Sequence, residues 1–320
     1  MGDVSAWVTH PWVAEAAQRV RFGIDGGGPP GGLPALVDWA QTVEDLGFDS
    51  LWVGDHTMGR WDCWTALAAL AVRTRRLRLG PLVSCVYYRP PALLARIAAD
   101  VDVLSGGRLV LGLGVGDIPT EFAQLGLRYP PVPERQTALA ETVEIVRGLW
   151  GGAPFTFEGA HFRVAEAAVR PGPVQRPRVP LLIAGGGERV TLRQVADRAD
   201  MANFGAHPWV GGASTRADVL RKYDVLRAHC GAAGRDYDSV SRSWYEGLFL
   251  ADSAREGAAR LKRYGLAEDA RKSVSPAEAV SRYRDLADAG VQHFIVYTVP
   301  GDEETIRRLA QEVIPALRRR

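Results

Sequence analysis

Apolar residues in this chain fall into short continuous runs, separated by longer stretches where they recur every three or four positions. The continuous runs RFGI (21–24), SLWVGD (50–55), LRLGPLV (77–83) and RLVLGLG (108–114) predict strands covered on both faces, since a half-exposed strand would alternate. Helically spaced stretches follow each of them, over 33–46, 61–72, 91–104 and 134–150. Gly47 sits just past the first helix, where a left-handed C′ residue is wanted, and Pro91 falls in the first turn of the third. The alternation resumes with strands PLLIAGG (180–186), DMANF (200–204), VSRSWYEGLFL (240–250) and VQHFIVYTV (291–299). Helices are predicted over 188–196, 216–229, 254–263, 276–289 and 303–317.

Eight strands, nearly all followed by a helix, at about 35 residues per unit, predict the α/β class and a (β/α)8 TIM barrel over 21–320. An open doubly wound sheet is the structural alternative. Residues 1–20 form an arm or a short amphipathic helix with Trp12, Ala16 and Val20 on one side. The insertions fall after the fourth strand. Residues 117–133 are irregular, and 151–178 hold two short strand-like pieces about Glu158-Gly159 before a Pro-rich loop. These two segments are the expected lid, with Phe122, Leu125, Tyr129, Phe155, Phe157 and Phe162 as an apolar wall.

Composition narrows the partners. Lys and Arg number 39 against 37 Asp and Glu, a balance that argues against a nucleic-acid binder held by backbone contacts. Three cysteines are too few and too scattered for a disulfide framework or a zinc cluster, so no metal is expected. No apolar run reaches the roughly 18 residues of a membrane span, and the first residues lack the pattern of a signal peptide. The expected setting is therefore the cytoplasm, with no membrane partner.

In a barrel of this kind the chemistry belongs at the C-terminal ends of the strands. The second strand ends in Asp55-His56, the third in Ser84-Cys85-Val86, the fourth in Gly114-Val115-Gly116-Asp117, the fifth in Gly185-Gly186-Gly187-Glu188, and the sixth in Asn203. An imidazole at His56 can hold or move a proton near neutral pH; the bland alternative is a helix cap or a carbonyl contact. Asp55 points to the other side of the extended chain and reads as an acceptor in the barrel loops. Three glycines between a strand and a helix let backbone N–H groups converge on an anion; the alternative is a tight turn capped by Glu188. Asp117 presents a carboxylate after small residues that would let a flat ring lie close, or else caps the segment after Pro119. Trp61, five residues past His56, stands at the expected pocket mouth. Neither glycine cluster fits the dinucleotide fingerprint, because Asp117 and Val190 occupy the positions where the last glycine is required.

Several separated motifs recur in order: GFDSLWVGDH (47–56), RPPALLA (89–95), DVLSGGRL (102–109) with LGLG (111–114), PGPVQ (171–175), PLLIAGGGE (180–188) and ADMAN (199–203). Over about 21–300 they resemble the bacterial luciferase-like superfamily, and within it the branch using the deazaflavin coenzyme F420. The resemblance implies a luciferase-like barrel and an oxidoreductase passing hydride between coenzyme F420 and a small organic substrate, with His56 and Asp117 as proton donors or acceptors and Trp61 beside them. It implies cofactor contacts from Asp55, Ser84, Cys85, Val86, Gly114, Gly116, Gly185, Gly186, Gly187, Glu188 and Asn203. It further implies a non-prolyl cis peptide near the end of strand 3, expected at Cys85–Val86, and a homodimer. In the family's sugar-phosphate dehydrogenase a Trp follows the His and a carboxylate stands at the position of Asp117. Here the Trp spacing is one residue longer and the carboxylate one methylene shorter. Two other readings share the scaffold: an FMN-dependent monooxygenase forming a peroxyflavin with O2, and a barrel that binds without catalysis.

Overall fold

Arg21–Asp25 (β1), Ser50–Val53 (β2), Arg78–Pro81 (β3), Ser84–Cys85 (β4) and Leu111–Gly114 (β5) are the first strands of one parallel sheet. An antiparallel hairpin, Phe155–Glu158 (β6) and Arg163–Ala167 (β7), stands apart from it. The sheet continues through Leu181–Ala184 (β8), Met201–Gly205 (β9), Ser241–Gly247 (β10) and His293–Tyr297 (β11). Strand order is β3-β2-β1-β11-β10-β9-β8-β5-β4, and a parallel bridge between Leu79 and Leu109 joins the two ends. That closure excludes the open doubly wound sheet. The computed structural model describes residues 7–26, 31–56, 61–267 and 272–318. Parts of the glycine-rich loop after β1 and of the loop after His56, and the last two arginines, lie outside them.

The helices are Pro11–Ala14 (α1) at the lower end; Leu33–Asp45 (α2), Cys63–Arg73 (α3) and Pro91–Leu104 (α4) around the outside; Pro119–Gln124 (α5) at the mouth; and Val132–Trp150 (α6), outside again. Thr191–Arg198 (α7), Arg216–Ala232 (α8), Ala254–Arg263 (α9), Pro276–Asp288 (α10), Glu303–Arg308 (α11) and Ile314–Arg318 (α12) follow. Their starts have local causes. Asp62 accepts from the Thr65 N–H at the head of α3, and Thr215 and Ser275 form capping boxes at α8 and α10. The sheet's outer face and the helices share one continuous buried apolar cluster, which is why the strands read as unbroken apolar runs. None of the described helices is long and apolar enough to cross a membrane.

The N-terminal segment covers the lower end of the barrel. Trp12 and Val13 pack with Trp52, Val110, Leu182, Met201 and Ile295 inside it. The Arg21 guanidinium, at the start of β1, donates to the Trp12 carbonyl and lies over its ring, with Arg78 over the ring as well. Above this plug is a polar layer. The Trp52 indole N–H donates to Ser50 Oγ at 2.8 Å, and that oxygen lies 2.9 Å from His293 Nε2. Gly23 makes room for it, since a Cβ there would stand 2.1 Å from Ser50 Oγ. Burial lowers the His293 pKa to about 3, so this imidazole is neutral in the fold.

The segment 151–178 leaves the barrel as the β6–β7 hairpin, tied down by Glu141, whose carboxylate accepts from the N–H groups of Ala160, His161 and Phe162. The stretch 117–133 is less irregular than expected. It contains α5, because Pro119 supplies a first-turn residue that needs no hydrogen-bonded N–H.

Candidate active site

All the C-terminal strand ends open on one side, around a cavity of about 1070 Å³. His56, Asp117, Trp61, Asp55, Cys85, Gly114, Gly116, Asn203 and the three glycines 185–187 all line it. Strands β2, β4, β5, β8 and β9 carry these groups to one mouth because they run parallel in one sheet.

Among the described residues, His56 neither caps a helix nor meets a carbonyl. Its Nδ1 donates to Glu121 Oε1 at 2.9 Å, and the Tyr88 hydroxyl donates to Glu121 Oε2 at 2.8 Å. Burial, and then this bond to Glu121, raise the Tyr88 phenol well above its ordinary range, so it stays a donor. Nε2 of His56 has no partner among the described residues. Asp117 does not cap the helix after it: α5 begins at Ile118 without a side-chain cap, and the Asp117 carboxylate makes no hydrogen bond or ion pair among the described residues.

Asp55 is buried beneath His56. Its Oδ2 accepts from Ser84 Oγ, the Cys85 N–H and Arg89, and its Oδ1 from the Cys63 thiol. That saturation makes it the anchor of the loops after β2 and β4. Ser84 also accepts from the Trp64 indole, so its hydroxyl is occupied with packing and it does not line the cavity. Burial pushes the Cys85 thiol up to about 12, so it is no thiolate.

Three expectations need correction. The non-prolyl cis peptide is Leu82–Val83, not Cys85–Val86. Cys85 is paired with Gly114 and the Val86 N–H bonds the Gly114 carbonyl, so the break in pairing falls upstream, between β3 and β4. Leu82 and Val83 therefore form the wall of the cavity, while Val86 is fully buried behind it. Next, Glu188 neither caps α7 nor lines the cavity, because Arg221 and Lys222 draw its carboxylate away. The glycines of β5, finally, serve mainly the chain beside them: a Cβ on Gly112 would strike the Pro81 carbonyl at 2.2 Å, and one on Gly114 the Val83 side chain at 2.4 Å.

The glycine turn after β8 lines the cavity. The Gly185 N–H is used by the Asn203 carbonyl, leaving those of Gly186 and Gly187 without a bonded acceptor among the described residues. A Cβ on Gly186 would stand 2.6 Å from Gly211 Cα, and one on Gly187 would stand 2.9 Å from Thr191 Oγ1. Gln136 in turn donates to Thr191 Oγ1 at 3.1 Å. Asn203 points its amide at Ser243 Oγ, 2.9 Å away, while still lining the cavity.

Sequence reasoning missed Asp25, the last residue of β1. The Tyr245 hydroxyl donates to its Oδ2 at 3.0 Å, while Oδ1 is buried with no partner among the described residues. Burial raises its pKa to about 7, against the opposing pull of Tyr245 and His56. The only signal in the sequence was an acid ending an otherwise apolar strand, RFGID. Among the described residues no cluster of His, Cys, Asp and Glu could hold a metal ion.

A barrel closed in this order, with its cavity at the strand ends, matches known proteins across nearly its whole length. The family model for luciferase-like monooxygenases matches residues 12–314, and the chain belongs to that family. It is 28% identical over 327 residues to an F420-dependent glucose-6-phosphate dehydrogenase from Amycolatopsis mediterranei, covering 88% of this chain and 94% of the relative. It is 26% identical over 339 residues to a 5,10-methylenetetrahydromethanopterin reductase from Archaeoglobus fulgidus, covering 88% and 96%. Among solved structures, the coenzyme F420-dependent tetrahydromethanopterin reductase from Methanopyrus kandleri superposes with a TM-score of 0.79 at 23% identity, covering 93% of this chain and 99% of that one.

Proposed function

We propose that the protein is an oxidoreductase moving a hydride between coenzyme F420 and a small organic substrate. One observation carries the reading. A single cavity has open backbone N–H groups at Gly186 and Gly187 on one side and the His56 imidazole with Asp25 and Asp117 on another. The cradle fits an anionic tail, since its two open N–H groups stand at a turn packed too closely on Gly211 and Thr191 for side chains at 186 and 187. The wall of Leu82, Val83 and Val115 fits a flat ring. The F420-dependent names of the relatives support the same choice.

When bound, the deazaflavin supplies a ring carbon that accepts or gives up a hydride. The protein's part is positioning and proton handling. Glu121 fixes the proton of His56 on Nδ1 and leaves Nε2 to take a proton from a substrate hydroxyl, or to return one to a carbonyl oxygen. Asp117 is the second candidate for that transfer, and Trp61 shields the mouth. Asp25, uncharged over part of the neutral range, serves as a donor as well as an acceptor to a polar group brought against Oδ1.

The family match also supports an FMN-dependent monooxygenase. Equilibrium titration of the purified protein with each cofactor separates the two. Saturable binding of coenzyme F420 with weaker FMN binding is expected. Tight FMN binding with none of the deazaflavin reverses the choice, and binding of neither leaves a barrel without redox chemistry.

A further inference from the structure

Among the described residues, the cavity wall carries acids and no Lys or Arg. The carboxyls of Asp25, Asp55, Asp117 and Glu121 line it, with no Lys or Arg side chain among the described lining residues. The cations that approach from behind are already engaged. Arg89 donates to Asp55 and Asp62, Arg135 to the Gly116 carbonyl, and Lys222 to the Gly186 carbonyl at 2.7 Å. The sequence shows the same deficit over the last three strand-to-helix turns: residues 204–215, 243–254 and 292–306 contain no Lys or Arg.

Aromatic surface stands there instead. The His207 and Trp209 rings stack at 4.3 Å and 8°, and Trp209 is 64% exposed at the cavity mouth. The His207 ring lies 6.2 Å from that of Tyr245, whose hydroxyl reaches Asp25. This row of rings joins the mouth to the buried carboxyl. A phosphate dianion leaving water needs cationic or dense N–H donors, and the open N–H groups belong to the glycine turn. An apolar ring gains from burial against an indole face.

On the oxidoreductase reading above, we propose that the substrate is an uncharged, ring-bearing, largely apolar alcohol or carbonyl compound, with Trp209 as its stacking platform. A phosphorylated sugar does not fit this wall, which sets the chain apart from the relatives named for glucose 6-phosphate.

Calorimetric titration with acetophenone, 1-phenylethanol and glucose 6-phosphate tests this, on the protein with and without coenzyme F420. Failure of the coenzyme to bind is read in its own titration, while the probe titrations on the free protein still report on the wall. The two aromatic probes are expected to bind more than about 100-fold tighter than glucose 6-phosphate. Trp209→Ala is expected to weaken them about 10-fold, with Trp209→Phe retaining most of the affinity. The proposal is overturned if glucose 6-phosphate binds as tightly as the aromatic probes, if neither aromatic probe binds, or if Trp209→Ala leaves their affinity unchanged.

Discussion

The imidazole of His56 and the carboxylate of Glu121, 65 positions apart in the chain, meet at 2.9 Å across the mouth of the barrel. One group comes from the loop after β2 and the other from α5, so their pairing exists only once the insertion has folded over the strand ends. Tyr88 completes the row by donating to the other oxygen of Glu121. On the proposed function, Glu121 is a positioning residue for the imidazole of His56.

Glu121→Gln is therefore expected to lower kcat about 10- to 100-fold with little change in KM, since the imidazole loses its orienting charge while the cavity keeps its shape. The 15N spectrum of His56 provides an independent readout and should show the Nδ1–H tautomer losing population. Equal loss in kcat and KM, with an unchanged spectrum, would reduce Glu121 to packing.

Asp25 gives a prediction about stability. Its pKa is raised from 3.8 to about 7, so the folded state holds a proton that the unfolded state has released across that interval. The favourable protonated state is fully present below about pH 4 and lost as pH rises through about 7. Asp25→Asn should stabilise the fold at about pH 8, by a few kcal/mol at most and read as a higher Tm, and change Tm little at about pH 4. Thermal melts at both pH values check the sign.

His293 predicts the opposite slope. With a folded pKa near 3 against 6.5 for the free group, it stays neutral while the unfolded chain takes up a proton. Stability is lost as pH falls from about 6.5 toward 3. Replacing it by Gln should flatten the acid side of the urea-midpoint curve, whatever the cost at neutral pH.

Gly186→Ala tests the cradle. Its methyl group would meet Gly211 backbone, which has no flexible end to swing aside. Cofactor affinity should fall at least about 10-fold, with Tm recorded alongside. Thr191→Val, which removes a hydroxyl next to the turn without adding bulk, should give a smaller loss of affinity, with a modest fall in Tm because the Gln136 amide loses its acceptor.

Trp12→Ala addresses the plug. The side chain is 7% exposed, between Arg21 and Arg78 at the lower end of the barrel. Its loss should cost about 3–5 kcal/mol in urea unfolding. Cofactor binding at the far end should be retained in the fraction that remains folded.

The strand ends were legible because parallel strands buried on both faces must be apolar, so a polar residue closing such a run stands out. Asp55, His56, Asp117 and the glycines 185–187 were found in that way, and the structure sets all of them on one cavity. Glu188 was misjudged for a related reason. Its neighbours along the chain suggested a cap, whereas Arg221 and Lys222, on a helix a strand further on, claim its carboxylate.

By itself, the order of apolar runs determined the class of fold and the strand-then-helix alternation, because period and length are local properties of the chain. It predicted eight strands where the sheet has nine, since the stretch read as the third strand is broken into β3 and β4. Tertiary structure alone decided which acids are buried without a partner, which pair with His56, and which face no base. Those outcomes depend on desolvation and on contacts between residues far apart in sequence, as with Asp25 and Tyr245, 220 positions apart. No local pattern records the distance between two groups that meet only after the barrel has closed.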